Sequence, residues 1–151
     1  MGVAAQPPDG MTDLVERIDG LVHEPTQAHD GGVDLTVAAV HRVSGPGQID
    51  FGGGELDPAQ TTTVGTEKRD PDDDYGWWEL PGDQYLVEYN ETLTPGDGER
   101  LVVQPRDELL ARGAFHPTLH ARELDAIPVS VPDPGIHLKE NARISTVVGV
   151  H

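Results

Sequence analysis

The sequence predicts a mostly-β domain, of the sandwich, jelly-roll or barrel type, with one short N-terminal helix. Three observations carry this prediction. Apolar and polar residues alternate with a period of two in several short runs. Gly/Pro turn signals separate those runs, as at Pro81-Gly82, Pro95-Gly96-Asp97-Gly98 and Pro132-Asp133-Pro134-Gly135. Helical spacing is confined to Leu14, Val15, Ile18, Leu21 and Val22. The 151 residues fit one domain, without internal repeats.

In chain order, residues 1–11 are rich in Pro and Gly and read as a flexible arm before a single β domain over 12–151. Thr12 is placed to cap a helix over 12–22, with Asp13 and Glu16 in its first turn. Residues 23–32 carry turn chemistry. Val33, Leu35 and Val37 alternate with Asp34 and Thr36 and open a strand that runs to Val43. Ser44–Pro58 is a glycine-rich connection whose triple glycine lacks the Lys-Ser/Thr of a phosphate loop. Further strands are expected over 61–64, 85–89, 101–104, 114–120, 127–131 and 142–150. The loop over 66–76 is charged, and Asp72, Asp73 and Asp74 read as solvated surface or a loose cation site.

Ten Lys and Arg stand against 27 Asp and Glu, a formal charge of −17. Such a surface repels a nucleic-acid polymer and an anionic membrane. With 36% hydrophobic residues the chain has the material for a core, so the charge reads as adaptation to a salty solvent rather than as disorder. The absence of cysteine excludes a disulfide framework, a Cys-ligated zinc site and a thiol nucleophile. No run approaches the roughly 20 apolar residues of a membrane span. The first nine residues have neither a basic nor an apolar leader segment, and a cytoplasmic protein is expected.

Four segments occur in a telling order: Val33-Asp34-Leu35-Thr36-Val37 followed by Ser44-Gly45; Leu80-Pro81-Gly82 with Tyr85-Leu86-Val87; Pro105-Arg106-Asp107-Glu108-Leu109 with Arg112-Gly113; and Leu138 to Ser145 with Arg143-Ile144. Collinear over roughly residues 30–150, they resemble the dUTPase/dCTP deaminase superfamily, in its archaeal dUTPase-like branch. The resemblance implies a distorted jelly roll, usually a homotrimer with sites between subunits, acting on dUTP or dCTP. Its dUTPases work on the Mg²⁺-bound triphosphate with a carboxylate base that activates water against the α-phosphate. Its deaminases use a buried Glu and no zinc.

A triphosphate carries about four negative charges and calls for cations or aligned N–H donors. Arg106 and Arg143 are the first candidates to contact it, with internal salt bridges as the alternative. Arg112 is a third, equally able to pair with an acidic neighbour. Asp34 could help hold a metal–nucleotide water shell, although bracing a turn is the simpler role. Glu123 and Asp125 lie in the part of the chain where a general base would be sought, and they also suit plain acidic surface.

The chain departs from the family pattern at defined places. Asp107 and Glu108 replace two serines that would donate to phosphate, and two carboxylates repel a triphosphate unless a divalent cation lies between them. The family's Asp-Pro-Gly-Tyr/Trp segment has no counterpart, since Asp133-Pro134-Gly135 reads as a turn. Thr146 stands where the last motif has Gln. A catalytically inactive structural or nucleotide-sensing module is therefore kept beside the enzyme. His116 and His120, as strand residues sharing a face, would be a weak zinc pair. Trp77 and Trp78 suit core packing or a subunit contact better than base stacking.

Overall fold

The computed structural model describes residues 14–151. The expected arm and the Thr12 cap lie outside the described residues. Twelve strands are seen among these residues: β1 (Ile18–Asp19), β2 (Ala28–His29), β3 (Gly32–Gly45), β4 (Gln60–Thr63), β5 (Trp77–Leu80), β6 (Asp83–Tyr89), β7 (Thr92–Leu93), β8 (Leu101–Pro105), β9 (Leu119–Ala121), β10 (Ile127–Val131), β11 (Ile136–Lys139) and β12 (Arg143–Val150). Two short helices, α1 (Glu24–Gln27) and α2 (Asp107–Ala111), interrupt them.

The main sheet runs β10-β6-β3-β12-β8-β9, with β2 and β4 also paired to β3. Every pairing in it is antiparallel. β3 is the spine. Its first half pairs with β12 and β2, its second half with β6 and β4, and the ladder to β6 shifts register between Val37 and Ala39. A second irregularity, between Arg143 and Ser145, interrupts the β3–β12 ladder. Bulges of this kind sharpen the twist and let one antiparallel sheet curl on itself. Two small sheets, β1–β7 and β11–β5, complete the fold.

Val33, Leu35, Val37 and Val40 of β3 meet Val87 of β6, Leu101 and Val103 of β8, Val129 of β10 and Val147 of β12 in the core. Tyr85 is buried with its hydroxyl donating to the Pro81 carbonyl at 2.5 Å, which ties β6 to the turn before it. Trp78 joins the core, as the packing reading expected. Trp77 is half-buried, with the Arg69 guanidinium 3.7 Å above its ring, so that face is taken.

Three expectations are corrected. The helical segment ends at Glu16, because Ile18 is buried by pairing with Leu93 in the β1–β7 ladder; the apolar spacing fitted a helix, but tertiary pairing takes those residues. The strand expected over 114–120 is reduced to an isolated bridge between Phe115 and Ser130 and to β9, because Pro117 has no N–H for a continuous ladder. As a result His116 and His120 do not share a face: His116 is buried, and His120 is exposed against the His151 ring. The β5–β11 pair was not anticipated as strands.

The glycine-rich connection after β3 is a narrow hairpin arm. Gln48 and Asp57 exchange backbone hydrogen bonds of 2.9 and 3.0 Å, and the Gln48 side chain donates to the Glu55 carbonyl at 2.7 Å. A Cβ at Gly47 would lie 2.7 Å from the Asp57 carbonyl oxygen, so the two limbs approach this closely only with glycine there.

Candidate functional site

The alternation of β3 sends Val33, Leu35 and Val37 inward and Asp34 and Thr36 to the opposite face. That face is nonetheless buried, because a layer of polar groups covers it. The β2–β3 hairpin turns through Asp30-Gly31 and brings His29 opposite Gly32. Gly32 has φ +135°, and a Cβ there would sit 2.1 Å from the Val147 carbonyl oxygen, so this close crossing of β12 demands glycine. Arg106 follows the last residue of β8, and Arg143 is the first of β12.

These elements converge on the fully buried Asp34 carboxylate. Its Oδ1 accepts from Thr146 Oγ1 at 2.7 Å and from His29 Nε2 at 2.8 Å, with Arg106 Nε at 3.4 Å. Its Oδ2 accepts from Arg143 Nη1 at 3.0 Å. His29 Nδ1 accepts from the Gly31 N–H at 3.0 Å, which fixes the neutral tautomer with the proton on Nε2. Arg106 also reaches Glu108 Oε2 at 2.8 Å and the Arg143 carbonyl at 3.3 Å. Two guanidinium groups, a hydroxyl and an imidazole thus surround this buried carboxylate, so its oxygens find their partners inside the protein.

Beneath this cluster, Gln27 of α1 donates to the Asp34 carbonyl and to Glu91, both at 2.9 Å. Glu91, also buried, accepts from Thr36 N at 2.8 Å and from Thr36 Oγ1 at 2.6 Å. No buried side-chain nitrogen or oxygen among the described residues lacks a partner. A second polar chain crosses the core. Tyr89 and Ser145 hydroxyls are 2.5 Å apart, Ser145 Oγ is 2.8 Å from His116 Nε2, and His116 Nδ1 is 2.8 Å from the Pro117 carbonyl. That carbonyl can only accept, so Nδ1 carries the proton and Ser145 donates to Nε2. Burial lowers the His116 pKa and raises that of Tyr89, so both stay neutral.

A cleft of about 220 Å³ opens beside Arg106, lined also by His29, Gln104, Asp107, Glu108 and Val148. A second, of about 180 Å³, reaches Arg143 from the side of Thr26, Thr36 and Asn141. Both are smaller than the roughly 300–1,000 Å³ usual for a small-molecule site. Asp107 makes no ion pair among the described residues. Among those residues no group of three or more His, Asp or Glu is arranged to hold a metal ion.

The structure thus brings together Arg106, Arg143, Asp34, Asp107 and Glu108. Arg112 lies one turn beyond, its guanidinium donating to the Glu108 carbonyl at 3.0 Å. Glu123 and Asp125 are exposed on the loop after β9. Ala121 pairs with Leu101, so this loop starts at the end of β8 opposite Arg106, about five residues or ~17 Å along the strand. Sequence reasoning missed His29 and Thr146 as parts of the cluster. The Asp30-Gly31 pair between two β-prone runs was the available signal, since it sets a two-residue hairpin that aims His29 at the strand carrying Asp34.

No family model matches the chain. It is 29% identical over 150 residues to a probable deoxyuridine 5'-triphosphate nucleotidohydrolase of Archaeoglobus fulgidus, covering 93% of this chain and 83% of that protein. It is 26% identical over 134 residues to the protein of the same name from Methanosarcina mazei, covering 84% and 74%. Among solved structures it superposes on the 2'-deoxycytidine 5'-triphosphate deaminase of Agrobacterium tumefaciens with a TM-score of 0.56 at 12% identity, over 90% of this chain and 43% of that one. The chain is thus similar in sequence to probable dUTPases and shares the fold of a dCTP deaminase. In this dUTPase/dCTP deaminase-like chain the Pro105-Arg106 corner and the Arg143-Ile144 strand start, the two motifs richest in charge, are the ones that meet on Asp34. No helix among the described residues is long and apolar enough to cross a membrane.

Proposed function

We propose that this chain acts in deoxynucleoside triphosphate metabolism in the cytoplasm, binding dUTP as its Mg²⁺ complex in the cleft at Arg106. One observation carries the reading: in a chain short of positive charge, two arginines 37 residues apart are fixed by one buried carboxylate, and an open cleft runs along Arg106. A carboxylate that orients two guanidinium groups removes the entropy cost of ordering them around phosphate. dUTP is the first nucleotide to test because the Archaeoglobus and Methanosarcina relatives are named for it.

The local charges decide whether a cation is needed. Arg106 and Arg143 supply two positive charges, while Asp34, Asp107 and Glu108 supply three negative ones. A triphosphate entering alone would be repelled. The exposed oxygens of Asp107 and Glu108 suit Mg²⁺, which is commonly held by one or two carboxylates together with substrate phosphates. Bound there, Mg²⁺ would offset phosphate charge. Hydrolysis would then have water attack the α-phosphorus and break its bond to the bridging oxygen, leaving dUMP and pyrophosphate, with the water proton passing to a carboxylate. Glu123 or Asp125 would serve only from a neighbouring subunit of a trimer, since each lies at the far end of β8 in its own chain. A non-catalytic nucleotide sensor is the second reading. It is favoured by the Arg106–Glu108 pair, which places a competing carboxylate where a serine would donate.

Calorimetric titration of dUTP and dCTP with Mg²⁺ at high salt, followed by product analysis, tests both readings. Binding of dUTP is expected, weakened at least tenfold, about 1.4 kcal/mol, in Arg106→Ala. Pyrophosphate would establish hydrolysis, ammonia a deaminase, and binding without turnover a sensor. No binding of either nucleotide to folded protein overturns the site.

A further inference from the structure

The arm between β3 and β4 ends in an apolar tip. Ile49 is 91% exposed, Phe51 is fully exposed, and Leu56 on the returning limb is exposed too. The tip is held in shape, since the Asp50 carboxylate accepts from the Gly53 N–H at 3.1 Å below it and the Gln48–Asp57 pair braces the limbs. A braced hairpin carrying two large apolar side chains in water is unfavourable unless something covers them.

The same chain carries a matching groove. A cleft of about 200 Å³ has Leu109, Ile136 and Leu138 in its floor and Arg112 and Arg143 at its rim, with Glu108 beside them and already paired to Arg106. Its volume exceeds the ~150 Å³ cavity that accommodates a benzene ring. Arg112 donates only to a backbone carbonyl and pairs with no carboxylate among the described residues. The arm tip reads apolar, acidic, apolar through Ile49, Asp50 and Phe51, so its carboxylate suits this rim while its rings suit the floor.

The arm cannot fill its own groove. The groove lies at the Arg143 end of β12, which pairs with Thr36, whereas the arm leaves β3 at Gly45. Nine residues of strand, roughly 30 Å, separate the two. We infer that the arm tip of one chain docks Phe51 into the groove beneath Arg112 and Arg143 of a second copy. Such a head-to-tail contact uses different surfaces on the two partners and closes into a ring when its rotation allows. The docked tip abuts Arg143, whose guanidinium holds Asp34, so assembly and the arginine cluster share a residue. The inference stands whether or not the cleft takes a nucleotide.

The lack of cysteine makes the test direct. Phe51→Cys and Arg112→Cys chains, both altered at exposed positions, are mixed without nucleotide and treated with a short bismaleimide. A covalent pair is expected from the mixture and not from either variant alone. In sedimentation, the unaltered chain is expected to run as a multiple of its 16.2 kDa mass, and Phe51→Ser as a single chain. Arg112→Glu should dissociate likewise and reassemble when Asp50→Arg chains carry the same change. A monomeric unaltered chain, an assembled Phe51→Ser, or the absence of the mixed cross-link overturns the proposal.

Discussion

Asp34 stands on the outward side of an alternating strand and still has no exposed surface. The alternation of Val33 to Val37 was legible, because it depends only on neighbours in sequence. Its covering was not, because the covering groups come from His29, Arg106, Arg143 and Thr146, the last 112 positions away. The two arginines could be singled out because cations are scarce, but nothing local told that they would meet on one carboxylate. Removing that carboxylate leaves half-buried Arg143 without a carboxylate partner among the described residues and Arg106 with Glu108 alone. Asp34→Ala is expected to cost about 3–5 kcal/mol in urea unfolding, with Asp34→Asn losing less because it keeps the shape and some hydrogen bonds. A loss under ~1 kcal/mol would show that the cluster does not depend on this charge.

Among the elements, those with period-two alternation were readable: β3, β6, β8, β10 and β12 lie within two residues of the expected bounds. The four-residue strands β5 and β11 were hidden by the turns that flank them, too short for a periodicity to declare itself. Across the elements, His116 ties the segment before β9 to Ser145 of β12 and Tyr89 of β6. Burial lowers the His116 pKa below the usual 6.5. The unfolded chain therefore binds a proton there before the folded one does. The stabilisation is present above pH ~6.5 and is lost as pH falls from that value toward the folded pKa, with a slope of at most about 1.4 kcal/mol per pH unit. Denaturant titrations on either side of pH 6.5 are expected to show this fall, reduced in His116→Gln. Identical slopes in the two proteins would rule His116 out as its source.

For the molecule as a whole, 27 acidic residues around one small core set a self-repulsion that salt relieves. Between ~0.1 and ~1 M salt the screening length falls from about 10 to about 3 Å, so the melting temperature is expected to rise across that range. A flat or falling curve would show that the acidic surface is not under strain. The curled sheet has a further consequence in time. The hydrogen bond from Thr146 to Asp34 spans 112 positions and the ion pair from Arg143 to Asp34 spans 109. Closing so long a loop costs chain entropy before any contact rewards it, and such pairings form late. A chain still emerging from the ribosome without Arg143 has an unpartnered edge on the first half of β3 and a single arginine beside Asp34. The site therefore assembles only when β12 closes over β3.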